Sequence, residues 1–167
     1  MRVRVAATLL LPLLMAACGS PPMEPLTENA VATAQKKWES NGATSYHLVV
    51  QVRAPRASAV VYDLQIADGE VVKLARNGQA VRPEEARAYD YSMAALFKLL
   101  REDARLTTVK QTPEEAHPAD LRVRFDDATG RLDVYRRVVG TTRRRVLYIQ
   151  VLEYEPRAGA ELERSVR

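Results

Sequence analysis

The sequence predicts an α+β domain: an antiparallel sheet covered by two helices, in the order α-β-β-β-α-β-β-β. Three observations predict it. Five segments alternate apolar and polar residues with the period of two that a half-buried strand requires, and a sixth is apolar on both faces. Two longer segments repeat apolar residues every three or four positions, as on one face of a helix. Short Asp/Gly turns join consecutive strands and return the chain antiparallel.

Residues 1–17 come first and read as an export signal. Arg2 and Arg4 form a basic start, 5–14 is apolar, and small residues precede a cleavage point. The uncharged stretch is shorter than the roughly 20 residues a bilayer-spanning helix needs, so no permanent span is expected. Met15-Ala16-Ala17-Cys18 resembles the lipobox of bacterial lipoproteins, with Met where Leu is usual. That resemblance implies a diacylglyceryl group on the Cys18 thiol, cleavage before it, and acylation of the new amine by a palmitate-type chain. The alternative is an ordinary signal peptide with an accidental cysteine. Cys18 is the only cysteine in the chain, so it has no partner for an internal disulfide. Two or three acyl chains hold a protein to a membrane essentially permanently, where one does not.

The 167 residues carry a formal charge of +4, and loss of Arg2 and Arg4 with the signal leaves +2. In an exported protein this small excess points to lipid head groups or anionic envelope polymers and not to nucleic acid. Gly19 follows the anchor where an Asp resembles an inner-membrane retention signal, so a source with two membranes implies the outer one, facing the periplasm. Residues 18–26 hold the lipidated cysteine and a Pro-rich tether, read as an extended spacer that lifts the domain off the bilayer. A single domain over 27–155 and a charged, disordered tail over 156–167 complete the expected organisation.

Within the domain, Thr27 is the expected N-cap of a first helix, Glu28 sits in its positive first turn, and Ala30, Val31, Ala34 and Trp38 mark the inner stripe. Asn41-Gly42 supplies the stop. Trp38, the only tryptophan, is expected to pin this helix to the sheet, with ligand stacking as the alternative. Residues 45–53 alternate, with Tyr46, Leu48, Val50 and Val52 on one side and His47, Val49, Gln51 and Arg53 on the other. Residues 59–67 repeat the pattern, Asp68-Gly69 turns the chain, and 70–74 returns it. Asn77-Gly78 marks another turn, and Pro83-Glu84-Glu85-Ala86 one helical turn begun by proline. The second helix follows from about Met93, after the cap-type residues Asp90 and Ser92, with Met93, Leu96, Phe97, Leu100 and Ala104 on its inner face. Leu121, Val123 and Phe125 alternate with Arg122, Arg124 and Asp126, and 127–130 turns into a strand through Leu132, Val134 and Val138. The last strand, 145–154, is apolar on both sides, which predicts a central place in the sheet.

Taken together, Trp38 to Tyr46, Asp68-Gly69-Glu70-Val71-Val72, Ser92 to Phe97 and Val123 to Gly130 resemble a family of secreted and lipid-anchored bacterial proteins catalogued only as a domain of unknown function. The similarity covers roughly 31–154. Cysteines and a late Gly-aromatic-Pro pattern found in that family are missing here, so no role resting on them carries over, and the family implies no activity.

Catalytic chemistry finds little support. The two histidines are His47, on a strand face, and His117, in a Pro-bounded loop near Glu114 and Glu115. No thiolate remains beside a lipidated Cys18, no G-x-S-x-G turn holds a serine, and no glycine loop is built for phosphate. The expectation is therefore no enzyme, no metal and no cofactor. Arginine is the one compositional feature with an edge: Arg122, Arg124, Arg131, Arg136, Arg137, Arg143, Arg144 and Arg145 all fall in the last hairpins. Arg122 and Arg124 share a side, and Arg143, Arg144 and Arg145 could extend it into a surface that binds carboxylates or phosphates through guanidinium forks. The alternative is a solvated face with Asp120, Asp126, Asp127 and Asp133 interspersed. The expected function is a non-enzymatic module that binds an envelope protein or anionic polymer. The other reading is a carrier or chaperone for an apolar ligand such as a lipid, which needs a sizeable apolar cavity.

Overall fold

A computed structural model describes residues 21–108, 119–139 and 145–157. Cys18 and the signal, His117, Arg143, Arg144 and residues 158–167 lie outside the described residues. Eight antiparallel strands form one sheet: β1 (Glu24–Pro25), β2 (Tyr46–Arg53), β3 (Val60–Ala67), β4 (Glu70–Arg76), β5 (Gln79–Ala80), β6 (Ala119–Phe125), β7 (Leu132–Val139) and β8 (Arg145–Pro156). Their spatial order is β1-β6-β7-β8-β2-β3-β4-β5. The helices are α1 (Glu28–Asn41), α2 (Pro83–Ala86) and α3 (Met93–Thr108), with a 3-10 turn at Arg87–Tyr89.

The α+β class and the antiparallel sheet are therefore as expected, while the finer order needs correcting. Two short strands, β1 and β5, are added to the eight expected elements; the helical turn expected at Pro83–Ala86 is present as α2, and a 3-10 turn at Arg87–Tyr89 continues it. The sheet dominates, and α1 and α3 lie on one of its faces; among the described residues no helix covers the other, the bare face. β8 is central, between β7 and β2, and it joins the two halves of the chain.

Local chemistry explains each helix boundary. The Thr27 hydroxyl accepts from the Ala30 N–H at 3.1 Å, and the Gly42 N–H closes α1 on the Trp38 carbonyl at 2.6 Å. Asp90 accepts from the Ser92 N–H, and Ser92 Oγ from the Ala95 N–H, so both cap-type residues before α3 are used. Asp68 and Gly69, at φ +49° and +85°, form the tight turn whose twist matches antiparallel strands, and Asn77 and Gly78 repeat it between β4 and β5.

The core lies between the sheet and the helices. Leu48, Val50, Leu64 and Ile66 from β2 and β3 meet Val31 of α1 and Met93, Leu96 and Leu100 of α3, all fully buried or nearly so. Trp38 meets Tyr46 of β2 and Tyr154 of β8 edge-on, with ring centroids 5.5 and 5.7 Å apart, and so pins α1 to the sheet centre. The 83–91 segment covers the far strands, where Tyr89 and Tyr91 pack on Tyr62 of β3. Gly130, at φ +75°, lets the β6–β7 turn approach α1 so closely that a Cβ would collide with the Ala34 carbonyl and press on Lys37 and the Trp38 nitrogen. Only glycine fits there.

The tether differs from the expected free spacer. Glu24 and Pro25 pair with Val123 and Arg122 at the edge of β6, and Leu26 is buried, donating its N–H to the Leu121 carbonyl at 2.9 Å. The Pro21 carbonyl accepts from Arg124 at 3.2 Å. Pro25 tolerates this place because an outermost strand leaves one side of its backbone unpaired. At the other end, β8 runs to Pro156 and the Arg157 N–H donates to the Ser45 carbonyl, so ordered structure passes slightly beyond the expected boundary at 155.

Candidate functional site

Strand alternation and register together define the bare face. Residues directly opposite in antiparallel strands share a face, and the helix-facing set includes Tyr46, Leu48, Val50 and Val52. The remaining set on β2 is His47, Val49, Gln51 and Arg53, and its cross-strand partners build rows across the sheet. The first row runs Arg122 (β6), Arg136 (β7), Tyr148 (β8), Arg53 (β2). The second runs Arg124, Val134, Gln150, Gln51, Val61. Beyond a bulge at Val49/Val50 come Glu153, Val49, Asp63, Ala75 and then Glu155, His47, Gln65, Lys73. The face is thus graded along the strands, from arginine and tyrosine at one end, through amides and valines, to carboxylates at the other.

Long side chains lie down on this face. Val134 is only 3% exposed although it is absent from the helix-side core, and its cross-strand neighbours are Arg124 and Gln150, whose stems are long enough to lie over it. Asp120 clips the first row together: one carboxylate oxygen accepts from Arg122 Nε at 2.7 Å and the other from Arg136 Nη2 at 2.6 Å. The Arg122 hydrogen bond, supported by Arg136, holds the Asp120 carboxyl below the usual carboxylate range. Arg136 Nε is buried with no hydrogen-bond partner among the described residues, and Arg53 has no ion-pair partner among them. In the second row, Arg124 lies 3.7 Å from Asp133, whose other oxygen accepts from Arg131 at 2.6 Å.

Of the arginines proposed as an anion-binding surface, Arg122 and Arg124 do share the bare face. Arg145 does not join them: it pairs with Val139 and has the parity of Leu147 and Ile149, which places it on the other face. The arginines that complete the row are Arg136 and Arg53. Arg53 is missed by a search of the last hairpins because its strand is remote in the chain, and only the β2–β8 register brings it there. Arg137 turns to the helix side, where it meets Asp103 of α3 at 2.8 Å; Tyr135 donates to the same carboxylate at 2.5 Å. Burial, then the Asp103 hydrogen bond, raises the Tyr135 hydroxyl far above its ordinary range.

His47 sits at the acidic end of the bare face, 2.9 Å from Asp63 and 4.0 Å from Glu155. Among the described residues no group of three His, Cys, Asp or Glu side chains is arranged to hold a metal. A groove of about 810 Å³ lies elsewhere, between the tether, α1 and the β6–β7 turn; Pro21, Pro22, Ala30, Lys37, Arg124 and Asp127 are among its lining residues. No family model matches this chain, and no curated protein matches it.

Proposed function

We propose that the chain is an exported lipoprotein, held to the cell envelope through acylated Cys18, whose domain is a non-enzymatic binding module. Two helices close one face of the sheet, and the bare face meets an envelope protein or anionic polymer. The observation that carries this reading is the contrast between a filled helix-side core and a bare face graded from basic to acidic. That contrast favours a binding surface over a carrier for an apolar ligand, since a carrier needs an enclosed apolar cavity, while the groove beside the tether is open and partly charged. If the source has two membranes, the outer one facing the periplasm is the proposed location. The resemblance to a lipid-anchored family of unknown function stands as a further proposal and transfers no activity.

Metabolic labelling with a palmitate analogue tests the anchor: the parent chain incorporates label and fractionates with membranes, and Cys18→Ala does neither. An unlabelled parent overturns it. Crosslinked capture from the native envelope, with proteins, lipids and polymers all analysed, tests the binding module. Recovery of neither a reproducible protein nor a polymer counts against it.

A further inference from the structure

The arginine row crosses the sheet from Arg122, directly opposite Pro25 of the docked tether, to Arg53 at the far end of β2, and this placement has a functional meaning once the anchor proposed above is accepted. β1 runs antiparallel to β6, with Glu24 opposite Val123 and Pro25 opposite Arg122, so the residues before it run toward the β6–β7 turn. Pro21 is held there by Arg124. Only three peptide links separate Cys18 from Pro21, a reach of about 11 Å at most. The strands are about 25 Å long at 3.3 Å per residue. Tethered so closely, and with Leu26 buried, the domain cannot turn end over end at a bilayer.

Carboxylates outnumber bases at the end near the tether, where Lys37, Arg131 and Lys73 also stand. Asp126 and Asp127 occupy the β6–β7 turn, Asp68 and Glu70 flank the neighbouring turn, and Glu153 and Glu155 lie at the close of β8. The other end is basic: Arg53 closes β2, Arg56 lies in the β2–β3 turn, Arg76 closes β4 and Arg145 opens β8, while Arg122 and Arg136 stand midway along β6 and β7. From Arg53 to His47 along β2 is six residues, about 20 Å. This exceeds the Debye length of about 8–10 Å in physiological salt, so Arg53, the member of the row farthest from the tether, is screened from charge at the His47 end of β2.

We propose that the row Arg122–Arg136–Tyr148–Arg53 binds a linear anionic polymer of the envelope, bearing repeated carboxylates or phosphates, laid across the strands on the face that α1 and α3 leave uncovered. Strands lie about 4.8 Å apart, so the row presents its guanidinium groups over about 14 Å, across the strands. Asp120 sets the spacing of Arg122 and Arg136 while occupying one N–H of each. A guanidinium has five such donors, which leaves several for an incoming oxyanion. The Arg53 charge, which has no ion-pair partner among the described residues, adds to them. Tyr148, between Arg136 and Arg53, supplies a flat apolar surface with a hydroxyl at its rim.

The test uses the full-length lipidated protein reconstituted in phosphatidylcholine vesicles, with poly-L-glutamate and inorganic polyphosphate as probes. Vesicle flotation reads the anchor and polymer retention reads the row, so the two proposals can fail separately. The parent chain is expected to retain both probes, with retention falling steeply as salt rises. Arg53→Gln and Arg136→Gln each weaken retention at least fivefold, and Arg53→Lys recovers part of it. Lys36→Gln, on α1, removes the same charge and changes it less than twofold. Equal weakening by Lys36→Gln means that net charge alone is read, and overturns the proposal. So does failure of the parent to retain either probe. Preferential capture of added phosphatidylglycerol vesicles, lost in the same arginine variants, overturns it in favour of a second membrane as the partner.

Discussion

The two faces of the sheet are made by the same strands and obey different physics. On the helix side, Leu48, Leu64, Ile66 and Leu100 are fully buried in one cluster that draws on both helices and the central strands. On the bare side, His47, Gln51 and Arg136 are half-buried and Arg53 is exposed. Packing dictates the first set, whereas the second is free to carry surface chemistry. Even the charged groups follow this division. Arg137 faces the helices and shares the buried Asp103 with Tyr135, while its neighbour Arg136 faces outward and shares the exposed Asp120 with Arg122.

Substitutions on the two faces should therefore separate sharply. Leu48→Ala, at a fully buried position, is expected to cost about 3–4 kcal/mol through lost burial and the cavity left behind, read as a fall in the urea midpoint at unchanged slope. A loss below about 1 kcal/mol would mean that the helices are not packed on this face.

The helix side also sets an alkaline limit. Burial pushes the Tyr46 hydroxyl up to about 12, although the Met93 N–H it accepts acts the other way. Because the folded value lies above the ordinary 10, the contribution is fully present below pH 10 and is lost as pH rises toward 12. Tyr46's own share of that loss is about 2–3 kcal/mol. Stability measured across this window should fall less steeply in Tyr46→Phe than in the parent. An identical slope would show that the hydroxyl reaches solvent in the folded state.

Asp103→Asn keeps an acceptor for Tyr135 but removes the charge facing Arg137, whose side chain is partly exposed. A cost of about 1–2 kcal/mol follows, and comparison with an Arg137→Gln variant and the double variant isolates the pair. Smallest of all, Arg53→Gln on the bare face should leave stability within about 0.5 kcal/mol of the parent. A larger loss would make Arg53 part of the scaffold and not of a surface.

Much of the fold was legible because the signals are local. Thr27, Gly42, Asp90 and Ser92 cap the helices they were expected to cap. Asp68-Gly69 and Asn77-Gly78 turn where turns were expected, and the two-sided apolar pattern of the last strand matches its central place. The tether was not legible. Pro21, Pro22 and Pro25 have the composition of a free linker, and their pairing depends on the edge of a strand far along the chain. Half of the candidate site was legible for the same reason: Arg122 and Arg124 share a side by alternation alone, whereas Arg145 shows that neighbouring arginines need not share one.

The sequence by itself determined the long elements and, within an unbroken stretch of strand, which residues share a face, because helix and strand periods are properties of the local backbone. The bulges that part Leu132 from Val134 and Val151 from Glu153 belong to the tertiary structure. Only the tertiary structure decided which strands are neighbours and in what register. The meeting of β8 with β2, the docking of the tether on β6 and the alignment of Arg53 with Arg136 and Arg122 are all choices of this kind. They follow from how segments remote in the chain bury their apolar faces together, and no local pattern contains that information.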